Sequence, residues 1–157
     1  MPRKRPGALR AAHQQRPRTW GSPPPYRIHG LSARTSLAIH RVEALSDDYY
    51  IDPGVTDRAL RRYEAFLRPP GRRPLYPQDE ECSCRHCSFD DVRHARDVLE
   101  EVLRQLPPRA SAELARLVAS LDRAYLRRTL PDPFAGERQW RADRWWHRRL
   151  AGGRQGG

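Results

Sequence analysis

All three cysteines of the chain fall within six consecutive positions, at Cys82, Cys84 and Cys87. Thiolates this close together can share one metal ion, because closing so short a loop around an ion costs little chain entropy. Cys84 and Cys87 have the two-residue separation with which a pair of sulfurs chelates tetrahedral zinc, and Cys82 can add a third sulfur. The spacing therefore predicts a structural zinc site.

A tetrahedral site needs a fourth ligand, for which we favour a histidine beyond the cysteines. His94 lies in a helix predicted to begin at Ser88, and helical side chains lean toward the N-terminus of their helix, here toward the cysteines. His86 lies inside the two-residue bridge and is expected to point outward. The other candidates that remain open are Asp90, Asp91, His13, His29, His40 and His147. The predicted ligand set is Cys82, Cys84, Cys87 and His94.

Other uses of the cluster are less well supported. An iron–sulfur centre usually takes four cysteines, and the thiols can also stay reduced without a metal. Three thiolates would quench the Lewis acidity of a catalytic zinc, and the sequence shows no second group of polar residues that would bind a substrate. Neither a glycine-rich phosphate loop nor an oriented cysteine–histidine nucleophile pair is evident. We therefore predict no enzymatic activity.

The elements that position the cysteines are predicted to be helices, because apolar residues recur with helical periodicity along four segments. Ser32 or Thr35 can cap the first helix, although alternation around Leu37 also permits a strand. Thr56 can cap the second, and Ser88, with Asp91 three residues later, the third. The predicted helices lie near residues 33–45, 56–68, 88–106 and 111–129.

The last two helices are joined by only a few residues around Pro107 and Pro108, which favours antiparallel packing. The second helix is expected to lie across this pair and close the core. The sequence thus predicts a mainly α fold, a small helical domain of residues 28–130 built on an antiparallel helical hairpin tied by zinc. This domain is flanked by a disordered, basic and proline-rich tail, residues 1–27, and by a Trp/Arg-rich segment, residues 131–157.

Charge is distributed unevenly along the chain, whose net charge is +11. Residues 1–46 hold nine basic side chains and one acid. Residues 47–106 hold ten basic side chains and thirteen acids, and residues 107–157 hold eleven basic side chains and five acids. The basic ends are expected to attract polyanions such as nucleic acid. All basic residues except Lys4 are arginines, a bias typical of GC-rich genomes that by itself indicates no function.

The Trp/Arg-rich segment near the C-terminus is the predicted contact surface, and a helix over residues 137–150 is expected to carry it. Arginine pairs with phosphate, whereas tryptophan stacks on bases or anchors in a protein pocket. Alternatively, Trp140 and Trp146 pack against the hairpin. The acids Asp79, Glu80 and Glu81 should keep phosphates away from the cysteines themselves. The predicted contact residues are Arg141, Arg144, Trp145, Trp146, Arg148 and Arg149.

These observations predict a non-enzymatic, zinc-stabilised binding module for nucleic acid or for a nucleic-acid machine such as a ribosome or polymerase. A protein–protein adaptor that docks through the Trp/Arg segment is the alternative, and a thiol/zinc redox sensor is a third. No apolar run approaches the length of a membrane span, and the N-terminus lacks the core of a signal peptide. We therefore expect a cytoplasmic protein with no membrane partner and no small-molecule substrate.

Overall fold

The computed structural model describes residues 26–79, 82–137 and 143–152. These residues form four α-helices and no strand, which confirms the predicted mainly α class. Three short 3₁₀ turns accompany the helices. The helices are α1 (Ala33–Leu45), α2 (Val55–Leu67), α3 (Val92–Gln105) and α4 (Pro108–Arg128), and the turns are Cys87–Asp90, Ala135–Glu137 and Trp145–Arg148. Residues 1–25 of the predicted tail lie outside the described residues.

The start of helix α1 is capped by the preceding serine and by a carboxylate of another helix. The Ser32 hydroxyl accepts from the Thr35 backbone N–H at 3.2 Å, as one of the two predicted caps. The Glu113 carboxylate, which belongs to α4, accepts from the Ser32 N–H at 2.6 Å and from the Ser32 hydroxyl at 2.8 Å. The Thr35 hydroxyl donates to the same carboxylate. These bonds satisfy N–H groups that a helix start leaves unpaired, so the alternative of a strand here is wrong.

Helix α2 begins without a side-chain cap of its own. Its N-cap is Gly54 rather than the predicted Thr56, and a φ of 88° explains why glycine stands there. The buried Glu43 carboxylate of α1 takes the place of a cap, accepting from the Gly54 N–H at 2.7 Å and the Thr56 N–H at 2.8 Å. The start of α2 therefore depends on α1.

Helix α3 begins later than predicted. Asp91, not Ser88, is its N-cap: the Asp91 carboxylate accepts from the Arg93 N–H at 2.9 Å, and its backbone is extended. Ser88 lies in the preceding 3₁₀ turn, Cys87–Asp90. An aspartate caps a helix as well as a serine does, and one extended residue between turn and helix prevents their fusion. The prediction of a helix start at Ser88 is wrong.

Helix α4 begins at Pro108, three residues before the predicted Ser111, because proline is favoured in the first turn. The Ser111 hydroxyl donates to the Leu103 carbonyl at 3.0 Å, which joins the start of α4 to the end of α3. Arg96 near the start of α3 pairs with Asp122 near the end of α4, also at 3.0 Å. These two contacts join α3 and α4.

The core lies between all four helices and is mainly aliphatic. Two buried tyrosines cross it, Tyr63 of α2 and Tyr125 of α4, with ring centroids 5.6 Å apart in an edge-on arrangement. The Tyr63 hydroxyl donates to Asp122 at 2.8 Å, and burial raises the pKa of both tyrosines. The largest fully buried aliphatic side chains are Ile28, Leu31, Ile39, Val55, Val92, Leu99, Val102, Leu114 and Val118.

The chain beyond α4 returns over the helices. Isolated bridges pair Pro131 with Arg149 and Gln78 with Gly152. The predicted helix over residues 137–150 is wrong for the part that the structure describes, where residues 145–148 form a single 3₁₀ turn. Among the described residues, no helix has the length and apolar character needed to cross a membrane.

Candidate metal centre

The cysteines lie on an irregular segment, residues 82–90, that we call the metal loop. Its second half turns back on itself: the Ser88 N–H donates to the Cys84 carbonyl at 3.1 Å, and the Phe89 N–H to the His86 carbonyl at 3.3 Å. The Cys87 N–H donates to the Cys84 sulfur at 3.3 Å. An N–H directed at sulfur stabilises the thiolate form, which is the form that binds metal.

The three cysteine sulfurs lie within 4.8 Å of one another and could hold a metal ion. Two sulfurs on a tetrahedral zinc would be about 3.8 Å apart, given a Zn–S bond of about 2.3 Å. The sulfurs are thus about 1 Å or less from the spacing of a shared ion. Cys82 is exposed and the other two are partly buried, so an ion can reach the loop from solvent.

The thiols differ in how readily they ionise. The hydrogen bond from the Cys87 backbone lowers the pKa of the Cys84 thiol to about 7. The side chains of Cys84 and Cys82, together with burial, raise the pKa of the Cys87 thiol to about 12. One thiolate therefore forms easily, whereas crowding three negative charges into the loop is unfavourable without a compensating cation.

Neighbouring elements hold the metal loop through its backbone. The Tyr50 hydroxyl donates to the Ser83 carbonyl at 2.9 Å. Arg62 of α2 donates to the Phe89 carbonyl at 2.8 Å and also to the Asp90 carbonyl. These carbonyls end the 3₁₀ turn, so one guanidinium satisfies acceptors that the turn leaves unpaired.

A second arginine fixes the other side of the loop. Arg85 donates to the Tyr49 carbonyl, and its guanidinium lies 4.5 Å from the centroid of the Tyr49 ring. The metal loop is thus attached to the segment between α1 and α2, to α2 itself and to the start of α3.

The structure does not bring His94 into the group of sulfurs. His94 lies in the first turn of α3, with its ring edge-on to Tyr50 at 4.7 Å and to Phe89 at 5.3 Å between centroids. The prediction of His94 as a ligand depended on a helix beginning at Ser88, whereas the extended Asp91 separates turn from helix. Among the described residues, the group that could hold a metal consists of the three cysteines.

Of the acids predicted beside the cysteines, Asp79 has a structural partner. The buried Arg93 pairs with Asp91 at 2.8 Å and also with Asp79. Burial works against the charged form of Arg93, but its hydrogen bonds and ion pairs with the two carboxylates raise the pKa above its usual range. Glu80 and Glu81 lie outside the described residues.

Three residues of the described Trp/Arg segment contact one buried carboxylate of the protein's own core. Asp97 of α3 accepts from the Trp146 indole N–H at 2.8 Å and pairs with Arg144 at 2.6 Å and with His147 at 2.9 Å. Trp146 is only 4% exposed, and the Arg96 guanidinium lies 4.1 Å from its ring centroid. We call Asp97, Arg144, Trp146 and His147 the Asp97 cluster.

The remaining predicted contact residues differ from one another in their partners and in their exposure. Arg149 donates to the Thr129 hydroxyl at 2.9 Å and to the Leu126 carbonyl at 3.2 Å. Trp145 is partly buried beside Tyr125, with centroids 6.0 Å apart. Arg148 is exposed, and Arg141 lies outside the described residues.

A small cavity of about 80 Å³ lies between the Asp97 cluster and His94. Ligand sites usually span about 300–1,000 Å³, so this space suits a few waters rather than a substrate. Asp97 is not among the site residues predicted from the sequence, although an acid between the apolar Ala95 and Val98 indicates a buried polar partner. The cavity is lined by Asp48, Tyr50, Ile51, His94, Asp97, Val98, Glu101 and Arg144.

Comparison of the chain with protein-family models, with curated proteins and with solved structures gave no match.

Proposed function

We propose that the protein is a non-enzymatic binding module, stabilised by zinc at Cys82, Cys84 and Cys87, that contacts nucleic acid or a nucleic-acid machine. The observation that supports the metal is the approach of three sulfurs to within 4.8 Å. We propose zinc because thiolate ligands in tetrahedral geometry favour it. The net charge of +11 supports the polyanionic partner.

The role proposed for zinc is mechanical. Three separate parts of the chain meet at the metal loop through Tyr50, Arg62 and the Asp91 cap. An ion that fixes the three sulfurs would fix the carbonyls of Ser83 and Phe89, to which Tyr50 and Arg62 donate. It would thereby hold the segment between α1 and α2 against the start of α3.

Replacing Cys84 by serine is expected to abolish zinc binding and to destabilise the zinc-bound protein. A ligand at one hundred times its Kd stabilises the folded state by about 2.7 kcal/mol, which for a chain of this size is a melting shift of roughly 5–10 °C. Native mass spectrometry with elemental analysis, on protein purified under reducing conditions, measures the metal, and thermal unfolding measures the shift. Ser83→Ala, next to the ligand, is the control and should keep the ion.

Retention of the ion by Cys84→Ser, or a wild-type protein that takes up no zinc when it is supplied, would contradict the metal proposal. His94→Gln addresses the fourth ligand. If this variant keeps one zinc per chain, His94 packs between its two aromatic neighbours; if it loses the ion, His94 is a ligand as the sequence predicted.

The partner class is tested separately from the metal. Fluorescence anisotropy of labelled DNA and RNA with the full chain should show binding that weakens steeply as salt increases. Absence of binding to every nucleic acid at low salt would leave the adaptor as the remaining proposal. The adaptor is less well supported because Trp146, one of its two proposed anchors, is buried. Release of zinc under mild peroxide, reversed by reductant, would instead support a redox sensor.

A further inference from the structure

Four arginines form a line along the exposed surface of α4. Arg109, Arg116, Arg123 and Arg127 are separated by seven, seven and four residues, and all four are exposed. At about 100° per residue, these positions fall within about 40° of one another around the helix axis. At about 1.5 Å per residue, the line is about 27 Å long. We call these four residues the arginine stripe.

The acids of α4 are occupied elsewhere. Glu113 accepts from Ser32 and Thr35 at the start of α1, and these hydrogen bonds lower its pKa. Asp122 pairs with Arg96 and accepts from a tyrosine hydroxyl. Among the described residues, none forms an ion pair with a guanidinium of the arginine stripe. Glu113 does interact with Arg116 electrostatically, without an ion pair, so the positive charge of the stripe is only partly compensated by neighbouring carboxylates.

The N-terminal end of the helix adds to this positive potential. Helix α4 begins after Pro107 with no side-chain hydrogen bond capping it, so its first N–H groups and the positive end of its dipole lie beside Arg109. A phosphate bound by Arg109 would be stabilised by both.

The surface between the arginines indicates the form of the partner. Ala112 and Ser120, which are exposed on the same face, are small, and no aromatic residue lies within the line. Single strands are usually bound by aromatic side chains on which bases stack, whereas duplex backbones are bound without stacking, by cations together with hydroxyl and backbone N–H groups. A rigid, nearly straight line of guanidinium groups suits the regular backbone of a duplex.

We infer that α4 binds the phosphate backbone of duplex DNA through the arginine stripe, independently of base sequence. This inference rests on the proposed function for its class of partner, and it moves the main contact from the terminal arms to a helix. Arg144 and Arg149 of the C-terminal segment are engaged by Asp97 and Thr129, which leaves the stripe as the better-exposed set of cations.

The experiment compares two variants that remove the same charge from different places. The stripe variant carries Arg109→Gln, Arg116→Gln, Arg123→Gln and Arg127→Gln. Glutamine is a good helix former, so α4 should be preserved. The matched control replaces four other exposed arginines, which also lack ion pairs among the described residues. They are changed as Arg34→Gln, Arg41→Gln, Arg72→Gln and Arg73→Gln.

Binding is measured with the full chain, loaded with zinc, and a labelled duplex of roughly 20 base pairs, which exceeds the stripe at about 3.4 Å per base pair. Each phosphate contact contributes about 0.9 to the slope of log affinity against log salt. The stripe variant should reduce the magnitude of that slope by about 3–4 and weaken binding about a hundredfold at physiological salt. The matched control should change the slope by less than about one.

Equal losses in the two variants, with circular dichroism unchanged, would show that net charge alone attracts DNA and would overturn the inference while leaving the proposed function intact. Tighter binding of single-stranded RNA or DNA than of the duplex, lost with the stripe, would overturn the assigned partner. Wild-type protein that binds no nucleic acid at about 50 mM salt would overturn both the inference and the proposed function.

Discussion

Replacing Asp97 by asparagine is expected to lower the free energy of unfolding by about 3–5 kcal/mol, because it removes one partner of a buried ion pair. Arg144 pairs with Asp97 at 2.6 Å and would keep its charge without a carboxylate. An asparagine amide oxygen at the position of Oδ1 can still accept from Trp146 and Arg144, but the amide NH₂ that replaces Oδ2 is a donor facing His147, and the negative charge is lost. The C-terminal segment should therefore separate from α3.

Chemical denaturation gives the stability change, and the fluorescence of a variant that keeps Trp146 as its single tryptophan reports the environment of that residue. The control is Asp47→Asn, which makes the same chemical change at an exposed position and should shift stability by less than about 0.5 kcal/mol. A variant at Asp97 as stable as this control, with Trp146 still shielded, would show that the ion pair contributes nothing net.

Lowering the pH should weaken the ion pair between Asp97 and Arg144 in the wild-type protein. Burial alone would raise the pKa of Asp97, but hydrogen bonds and charge from His147, Arg144 and Trp146 outweigh burial and lower it. A carboxyl with a lowered folded-state pKa contributes stability above its unfolded pKa and loses that contribution as pH falls through the folded value. Wild-type stability should thus fall more steeply below about pH 4 than that of Asp97→Asn. Parallel pH profiles would contradict this assignment.

Replacing Glu43 by alanine is expected to destabilise the protein by about 3–5 kcal/mol. The substitution would leave the N–H groups of Gly54 and Thr56 buried without their acceptor, each at a cost of about 1–3 kcal/mol, and would open a cavity between α1 and α2. The effect should concentrate at the start of α2, which has no side-chain cap of its own.

The control for Glu43 is Glu64→Ala, which removes a carboxylate from a partly exposed pair with Arg68 at 3.8 Å. Such pairs contribute about 0.3–0.5 kcal/mol. Equilibrium unfolding in urea measures both variants. A loss at Glu43 no larger than the loss at Glu64 would show that water can replace the carboxylate at the Gly54 and Thr56 N–H groups.

The helices were predictable because their apolar periodicity is local information. Their starts were less so: the cap predicted at Thr56 is supplied by Glu43, eleven and thirteen residues from the N–H groups it binds. Glu113 lies 81 residues from Ser32, and no pattern within a helix could indicate this partner. Where the cap is local, as at Ser32, the prediction is confirmed.

At the candidate metal centre too, local features were predictable from the sequence and features that depend on distant residues were not. Three cysteines close in sequence are necessarily close in space, so their spacing identified the group. The prediction of His94 as a ligand depended on the direction of α3 relative to the preceding 3₁₀ turn. The extended residue Asp91 lies between the two and changes that direction. For the Trp/Arg segment, a tryptophan beside arginines has the same composition whether it faces a partner or the protein's own core. The carboxylate that engages Trp146 lies 49 residues away.

The two carboxylates that cap distant helices also bear on how the chain folds. Glu113 of α4 completes the start of α1, and Glu43 of α1 completes the start of α2, so each helix depends on another being already in place. Glu113 can cap α1 only after a loop of 81 residues has closed, and closing that loop costs conformational entropy before the cap forms. Helices α1 and α2 should consequently form together with the tertiary core in one cooperative step, and fragments that contain either helix alone should not be stably helical.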